Sequence, residues 1–306
     1  MALRLFSDTS LSYLHITGSD VRSFLQGQLT CDLSKLTFQT FSPTALCQYQ
    51  GKTLTSGLVY LSSSQEAFLI IQQESLSSIR QILQPYAALE RITISSPPTS
   101  TPVIGLSSTQ VPKNLPSSVN HVMQYDNQVH ILCLSIEPYT YLIHGPKAQV
   151  ISLSAQYSDA ELGRLTHWQA AMIKTGILFL PHESQGAYTP NMLSLVPSPS
   201  VSLSKGCYLG QEVIARTYHL GQVKRQLHTF CSTSLNTPLP VNTALKLVNQ
   251  SVSTRVIQSG SDDNTLWFQV VLPTSNPPYE FVLNQDASDQ GEPLVFEATL
   301  YHYDQS

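Results

Sequence analysis

The residues with chemical potential concentrate between Lys205 and Arg225. The stretch reads Lys205-Gly206-Cys207-Tyr208-Leu209-Gly210-Gln211-Glu212, then Val213-Ile214-Ala215-Arg216, and closes on Lys224-Arg225. Two glycines flank a cysteine and a tyrosine, which puts backbone freedom around a potential nucleophile or redox group. Gln211-Glu212 opens a predicted short helix, because an acid in the first turn complements the helix dipole. Cys207 then stands just ahead of a helix N-terminus and beside the Lys205 ammonium, and both favour a thiolate. The competing reading is a small buried hydrophobe. The residues alone do not separate the two.

Other chemistries fit the sequence less well. His219 is near Cys207 in the chain, but a Cys/His hydrolase is recognised by geometry and not by sequence distance. The nine histidines include no His-x-x-x-His pair with a carboxylate partner, which argues against a zinc hydrolase. Cys31, Cys47, Cys133, Cys207 and Cys231 are odd in number and widely spaced, with no Cys-x-x-Cys pair. That pattern suits neither a disulfide framework, nor a zinc site, nor an intrinsic iron–sulfur cluster, so no metal site is expected. No Gly-x-Gly-x-x-Gly and no P-loop occur, which removes the common nucleotide-binding motifs. Arg216, Lys224 and Arg225 form a modest basic cluster, either a solvated surface or a clamp for an anionic group. Glu212 is placed to pair with one of these bases. Trp168 falls on one helix face with Leu165 and Met172, which by spacing alone is a core position.

The elements that must carry these residues follow from periodicity. The chain has 306 residues, 42% of them apolar, enough for two or three domains with real cores. Charged residues are only 12% and the net charge is −4, which gives no support for direct nucleic-acid binding. The first residues lack a signal-peptide pattern and no apolar run approaches a bilayer span. The expectation is therefore a cytoplasmic protein that engages no membrane. Leu11–Thr17 reads as a strand, and Ser19 or Asp20 caps a helix carrying Val21, Phe24, Leu25 and Leu29. Thr44–Tyr49 and Leu54–Leu61 form a hairpin about Gln50-Gly51-Lys52, with Phe68–Gln72 as a third strand. A helix is expected near 75–86 and a strand at 92–94. Short strands follow at 103–106, 119–125, 130–136 and 139–144, with a weak helix at 147–154. A better helix is predicted over Ala160–Thr175, ended by Gly176. After Arg225 come short β-like runs at intervals suiting a small barrel.

Taken together, these motifs resemble a known family. The Lys205–Glu212 block with Ala215-Arg216 and Lys224-Arg225 looks like the signature of the YgfZ family of folate-binding proteins, which are related to the T-protein of glycine cleavage, an aminomethyltransferase. Ile16-Thr17-Gly18-Ser19-Asp20, Phe24-Leu25-Gln26-Gly27-Gln28-Leu29-Thr30 and Asp32 are similar to the family's N-terminal block, and Gly51-Lys52 to its hairpin. The resemblance implies an α+β fold in three lobes around a central folate channel. Residues 1–225 would form two interleaved, split ferredoxin-like α/β lobes and residues 226–306 a C-terminal β-barrel.

It further implies tetrahydrofolate as the cofactor. Trp168, Lys205, Tyr208, Gln211, Glu212 and Arg216 would serve binding, and Cys207 would be a functional thiol in the same channel. Partners would be folate and iron–sulfur enzymes as clients, with tRNA modification influenced through them, and the chain is expected to be a monomer. Where the aminomethyltransferases carry a catalytic aspartate, Thr55 and Ser56 stand here, and neither supplies a carboxylate at neutral pH. Gln48 stands where an acid often precedes the family's turn. The expectation is an accessory protein. The alternatives are a folate-dependent aminomethyl or methyl transferase, and a scaffold without the ligand.

Overall fold

In the computed structural model the structure describes residues 3–98, 101–126, 128–196, 198–235, 237–248, 252–273, 279–283 and 294–301. The Pro/Ser-rich loop expected at 95–102 lies in part outside the described residues.

The strands, in chain order, are β1 (Arg4–Phe6), β2 (Leu11–Thr17), β3 (Phe41–Cys47), β4 (Thr53–Ser63), β5 (Glu66–Gln72), β6 (Thr93–Ser95), β7 (Val103–Ser108), β8 (Val122–Tyr125), β9 (Val129–Ile136), β10 (Tyr139–His144), β11 (Glu161–Leu162), β12 (Arg225–Ser232), β13 (Ala244–Leu247), β14 (Ser253–Asp262), β15 (Thr265–Pro273), β16 (Tyr279–Leu283) and β17 (Leu294–Tyr301). The helices are α1 (Val21–Gln28), α2 (Leu76–Leu89), α3 (Lys147–Ser154), α4 (Leu165–Thr175) and α5 (Gln211–Leu220).

Three sheets result. One has the order β3-β4-β5-β2-β6, a second the order β11-β1-β7-β10-β9-β8, and the third closes as the barrel β12-β15-β14-β13-β16-β17. The N-terminal strand β1 joins the second sheet while β2 joins the first, so the two α/β lobes are interleaved. The mixed α/β architecture with a C-terminal barrel is the one expected. Asp20 caps α1, its carboxylate accepting from the Ser23 N–H. Gly176 ends α4 in the left-handed region, φ +74°, where a side chain would be strained.

The structure also differs from the sequence reading in ways that matter to the fold, and β1 is among the strands that reading passes over. The helix predicted from Ala160 begins at Leu165, because Glu161 and Leu162 instead run parallel to Arg4 and Leu5 as an added strand. Gly163 permits this: a Cβ there would lie 2.2 Å from the Phe6 ring. The sequence reading also passes over β17, whose residues close the barrel against β12 and β16.

The two α/β lobes meet on an aromatic and histidine-rich face. Tyr13, Tyr60 and Phe68 from the first sheet pack against His130 and His144 from the second. The Tyr60 hydroxyl and His144 Nε2 share a 2.7 Å hydrogen bond. The His130 and His144 rings stack at 5.2 Å. The barrel docks on α4, and Gly260 makes that approach possible: a Cβ there would sit 2.3 Å from the Ala170 N and 2.6 Å from the Thr166 O.

Candidate functional site

The Cys207 loop is built by its neighbours. Lys205 is buried and donates from Nζ to three backbone carbonyls, those of Gln26 (2.7 Å), Leu29 (2.5 Å) and Cys31 (2.7 Å). These lie at and just beyond the C-terminal end of α1, where unpaired carbonyls and the helix dipole favour a cation. Burial pushes the Lys205 pKa down to about 8, opposed by Cys31 and Asp32. The expectation that Lys205 activates the thiol is therefore corrected, because its ammonium is engaged at the end of α1 by those three bonds. It also lies 4.9 Å over the Tyr208 ring.

Tyr208 is a core residue, packed with Ala45, Cys47, Leu180 and Ile214, and burial pushes its hydroxyl up to about 12. The Gln211 amide donates to the Lys205 carbonyl. Gly210 takes a positive φ as the N-cap of α5, and a Cβ there would meet the Gln48 O at 2.7 Å and the Gly51 Cα at 2.9 Å. Helix α5 thus starts hard against the β3–β4 hairpin tip, which is why small residues are needed on both sides.

Cys207 itself is exposed, which excludes the buried-hydrophobe reading. A Cβ on the adjacent Gly206 would meet nothing within 4 Å. The α5 helix follows as predicted. Only Ile214 of this helix is buried. Glu212 and Arg216 are exposed, and among the described residues neither forms an ion pair, contrary to the pairing expected for Glu212.

Trp168 sits elsewhere. It is only 1% exposed, with its ring 5.3 Å from Phe6 and packed over Gly105, where a Cβ would lie 2.4 Å from the indole. Its spacing on α4 reported this core position correctly. The indole as an open wall of a channel is corrected: no face of the ring is free. Its Nε1, buried, has no hydrogen-bond partner.

The next residue on α4, Gln169, opens onto a cleft of about 500 Å³ where both α/β lobes and the barrel come together. Asp8 and Ser10 lead into β2, Gln72, Gln73 and Glu74 lead into α2, and His182 and Glu183 follow α4. Gln258 and Ser259 come from the barrel. Glu74 and Glu183 carry no ion pair among the described residues. None of the lining residues comes from Lys205–Arg225, so the structure does not bring Cys207 and the cleft into one pocket. The cleft escaped sequence reasoning because it draws on six separate segments, none with a motif.

Ser56 and Thr55, where the resemblance expects the aminomethyltransferase aspartate, have structural surroundings here. The Ser56 hydroxyl donates to the Leu178 carbonyl at 2.6 Å and accepts from the Leu180 N–H at 3.1 Å. Thr55 is buried, its hydroxyl without a partner.

No family model matches the chain. An uncharacterized protein of Haemophilus influenzae is 26% identical over 272 residues, covering 88% of this chain and 89% of its own. The tRNA-modifying protein YgfZ of Colwellia psychrerythraea is 28% identical over 72% of this chain and 68% of its own. That of Yersinia enterocolitica is 26% identical over 78% and 74%. In fold, the chain is similar to the crystal structure of the glycine cleavage system aminomethyltransferase T from Bartonella henselae. The TM-score is 0.77 at 13% identity, over 97% of this chain and 84% of that one.

Proposed function

We propose that the chain is a member of the YgfZ family, on the fold of the glycine cleavage T-protein, and that it is a tetrahydrofolate-binding accessory protein for the assembly or repair of iron–sulfur enzymes. Its effect on tRNA modification would pass through those enzymes, without contact between this chain and tRNA. Its net charge of −4 favours that indirect route.

The observation that carries the folate reading is the cleft at the junction of the three lobes. Its volume of about 500 Å³ falls in the range of small-molecule sites, and its groups converge from every lobe. A reduced pterin presents an amino group and ring N–H donors, which suit the unpaired carboxylates of Glu74 and Glu183. Gln72, Gln169 and Gln258 add amides that both donate and accept. Tetrahydrofolate supplies a carrier for one-carbon units when bound; this chain supplies the shaped, polar cleft.

Aminomethyl transfer by the T-protein's route is disfavoured on chemical grounds. Ser56 is committed to Leu178 and Leu180, and Thr55 offers no charge. Cys207 is the group left for chemistry with a client, because its thiol is exposed on a loop that its neighbours hold in place.

Calorimetry with tetrahydrofolate tests the first part. Binding that weakens at least fivefold in Glu183→Gln is expected, and the absence of binding by the native chain overturns the reading. Complementation of a cluster-maturation defect tests the second. Cys207→Ala is expected to fail, and full activity in that variant would remove the thiol from the function. Formation of methylene-tetrahydrofolate from a glycine-derived donor would favour the transferase instead.

A further inference from the structure

We propose that the outward face of α5, together with the tip of the β3–β4 hairpin, docks an acidic surface of a client protein and so brings that client to Cys207. This rests on the reading of Cys207 as the group that meets a client, and it names the chemistry of the surface that delivers one.

Helix α5 buries only Ile214. A helix that merely covers a core carries polar residues on its other side. Here Val213, Arg216 and Leu220, spaced by three and then four residues, share one exposed stripe. Leu220 is 84% exposed, and Tyr49 at the hairpin tip is 74% exposed. The tip lies against the start of the stripe, since a Cβ on Gly51 would be 3.0 Å from Val213. It is also tied down from behind. The Thr53 N–H donates to the Tyr188 carbonyl and the Gly186 N–H to the Thr53 carbonyl, both at 2.8 Å, and Lys52 Nζ donates to the Ala187 carbonyl at 3.1 Å. A surface fixed in advance loses little freedom when a partner arrives.

The charge on this face runs against that of the chain. Between Cys207 and Arg225 stand Arg216, Lys224 and Arg225 against one acid, Glu212, in a chain of net charge −4. None of the three cations forms an ion pair among the described residues. Arg216 lies at the middle of the stripe, roughly 8 Å along the helix from its start beside the Cys207 loop. Exposed tyrosine and arginine are the side chains that most often anchor a protein partner. The complementary surface presents carboxylates to Arg216 and an apolar recess to Tyr49 or Leu220. A twofold contact with a second copy would set the basic stripe against itself. RNA would need more phosphate contacts than one central arginine gives. A lipid surface would need a longer apolar face than Val213 and Leu220 supply.

The test places the photocrosslinker benzoylphenylalanine in turn at Val213, at Gly206 and at Leu89, an equally exposed leucine of α2. The full chain is expressed in cells, and the crosslinked peptides are sequenced. Position 206 has open space around it and reports any protein that meets the thiol. Crosslinks from position 213 are expected in acidic segments of iron–sulfur enzymes, at a yield at least fivefold above position 89. Arg216→Glu is expected to cut that yield at least fivefold, because like charges then face each other, and Leu220→Ser to cut it about threefold. The urea midpoint of each variant is measured alongside, and Arg216→Gln is read instead if Arg216→Glu lowers it. No crosslink from position 213, a yield unmoved by the Arg216 variants, or crosslinks to RNA or to segments without acids overturn the docking face. If position 206 still joins an iron–sulfur enzyme in that case, the client reading of Cys207 stands. If neither position joins one, that reading falls together with the docking face.

Discussion

The Lys205→Met substitution is the sharpest test of how the Cys207 loop is held. Methionine keeps much of the side-chain length and removes the ammonium. Two buried carbonyls, those of Leu29 and Cys31, and the half-buried one of Gln26 then lose their shared donor. At about 2 kcal/mol for each buried acceptor and about 1 kcal/mol for the half-buried one, the gross loss is roughly 5 kcal/mol. Against this, the variant no longer buries a cation. Lys205 is held at about 8 from an ordinary 10.5, a difference of about 3 kcal/mol against the charged form. The balance is a destabilisation of about 2 kcal/mol, read as a lower urea midpoint.

The pH dependence gives an independent signature. A lysine whose folded pKa is depressed binds fewer protons folded than unfolded between about 8 and 10.5. The native chain should therefore gain stability from this group as pH rises through that window. The Lys205→Met chain should lose that gain. The Cys207 thiol should also react faster with a disulfide reagent once its loop is released. A variant as stable as the native chain, or one with the same alkaline slope, refutes the latch.

Further outcomes follow from the packing. Burial holds His130 down at about 4 and His144 well below its ordinary value; Glu66 opposes this at His130 and His15 reinforces it. Both rings are neutral in the fold and charge on unfolding, so stability should fall as pH drops from about 6.5 toward 4, by about 3 kcal/mol from His130 alone. His130→Phe should flatten that slope in acid denaturation followed by Trp fluorescence, and an unchanged slope would deny the histidines a role. Gly260→Ala should destabilise by about 2 kcal/mol, because its Cβ meets the α4 backbone, whereas Gly206→Ala should stay within about 0.5 kcal/mol. Equal thermal shifts for the two would contradict the docking of the barrel on α4.

The fold was largely legible because most elements announce themselves by period. The α1 cap at Asp20, the β3–β4 hairpin and the left-handed Gly176 all follow local rules that tertiary contacts do not override. The failures have a common cause. Glu161-Leu162 carry a helix-compatible pattern, yet their fate is set by Arg4-Leu5, more than 150 residues away. Local period cannot report a pairing partner. The same limit hid the junction cleft. Glu74, Gln169, Glu183 and Gln258 are ordinary polar residues in sequence, and only the packing of three lobes makes them neighbours.

The Lys205–Glu212 block shows the opposite error, in which a motif suggests chemistry for residues that do structural work. Lys205 ties the loop to α1, Tyr208 fills the core beneath it, and Gly210 lets α5 abut the hairpin. Gln211 closes the turn onto the Lys205 carbonyl. Four residues of an eight-residue motif thus fix one backbone path, and that path presents Gly206 and Cys207 to solvent. A cysteine that merely filled space would need none of this, since any exposed position tolerates most side chains. Under the proposed function, that buried lysine holds the exposed thiol on a fixed path where a client approaching from outside can reach it.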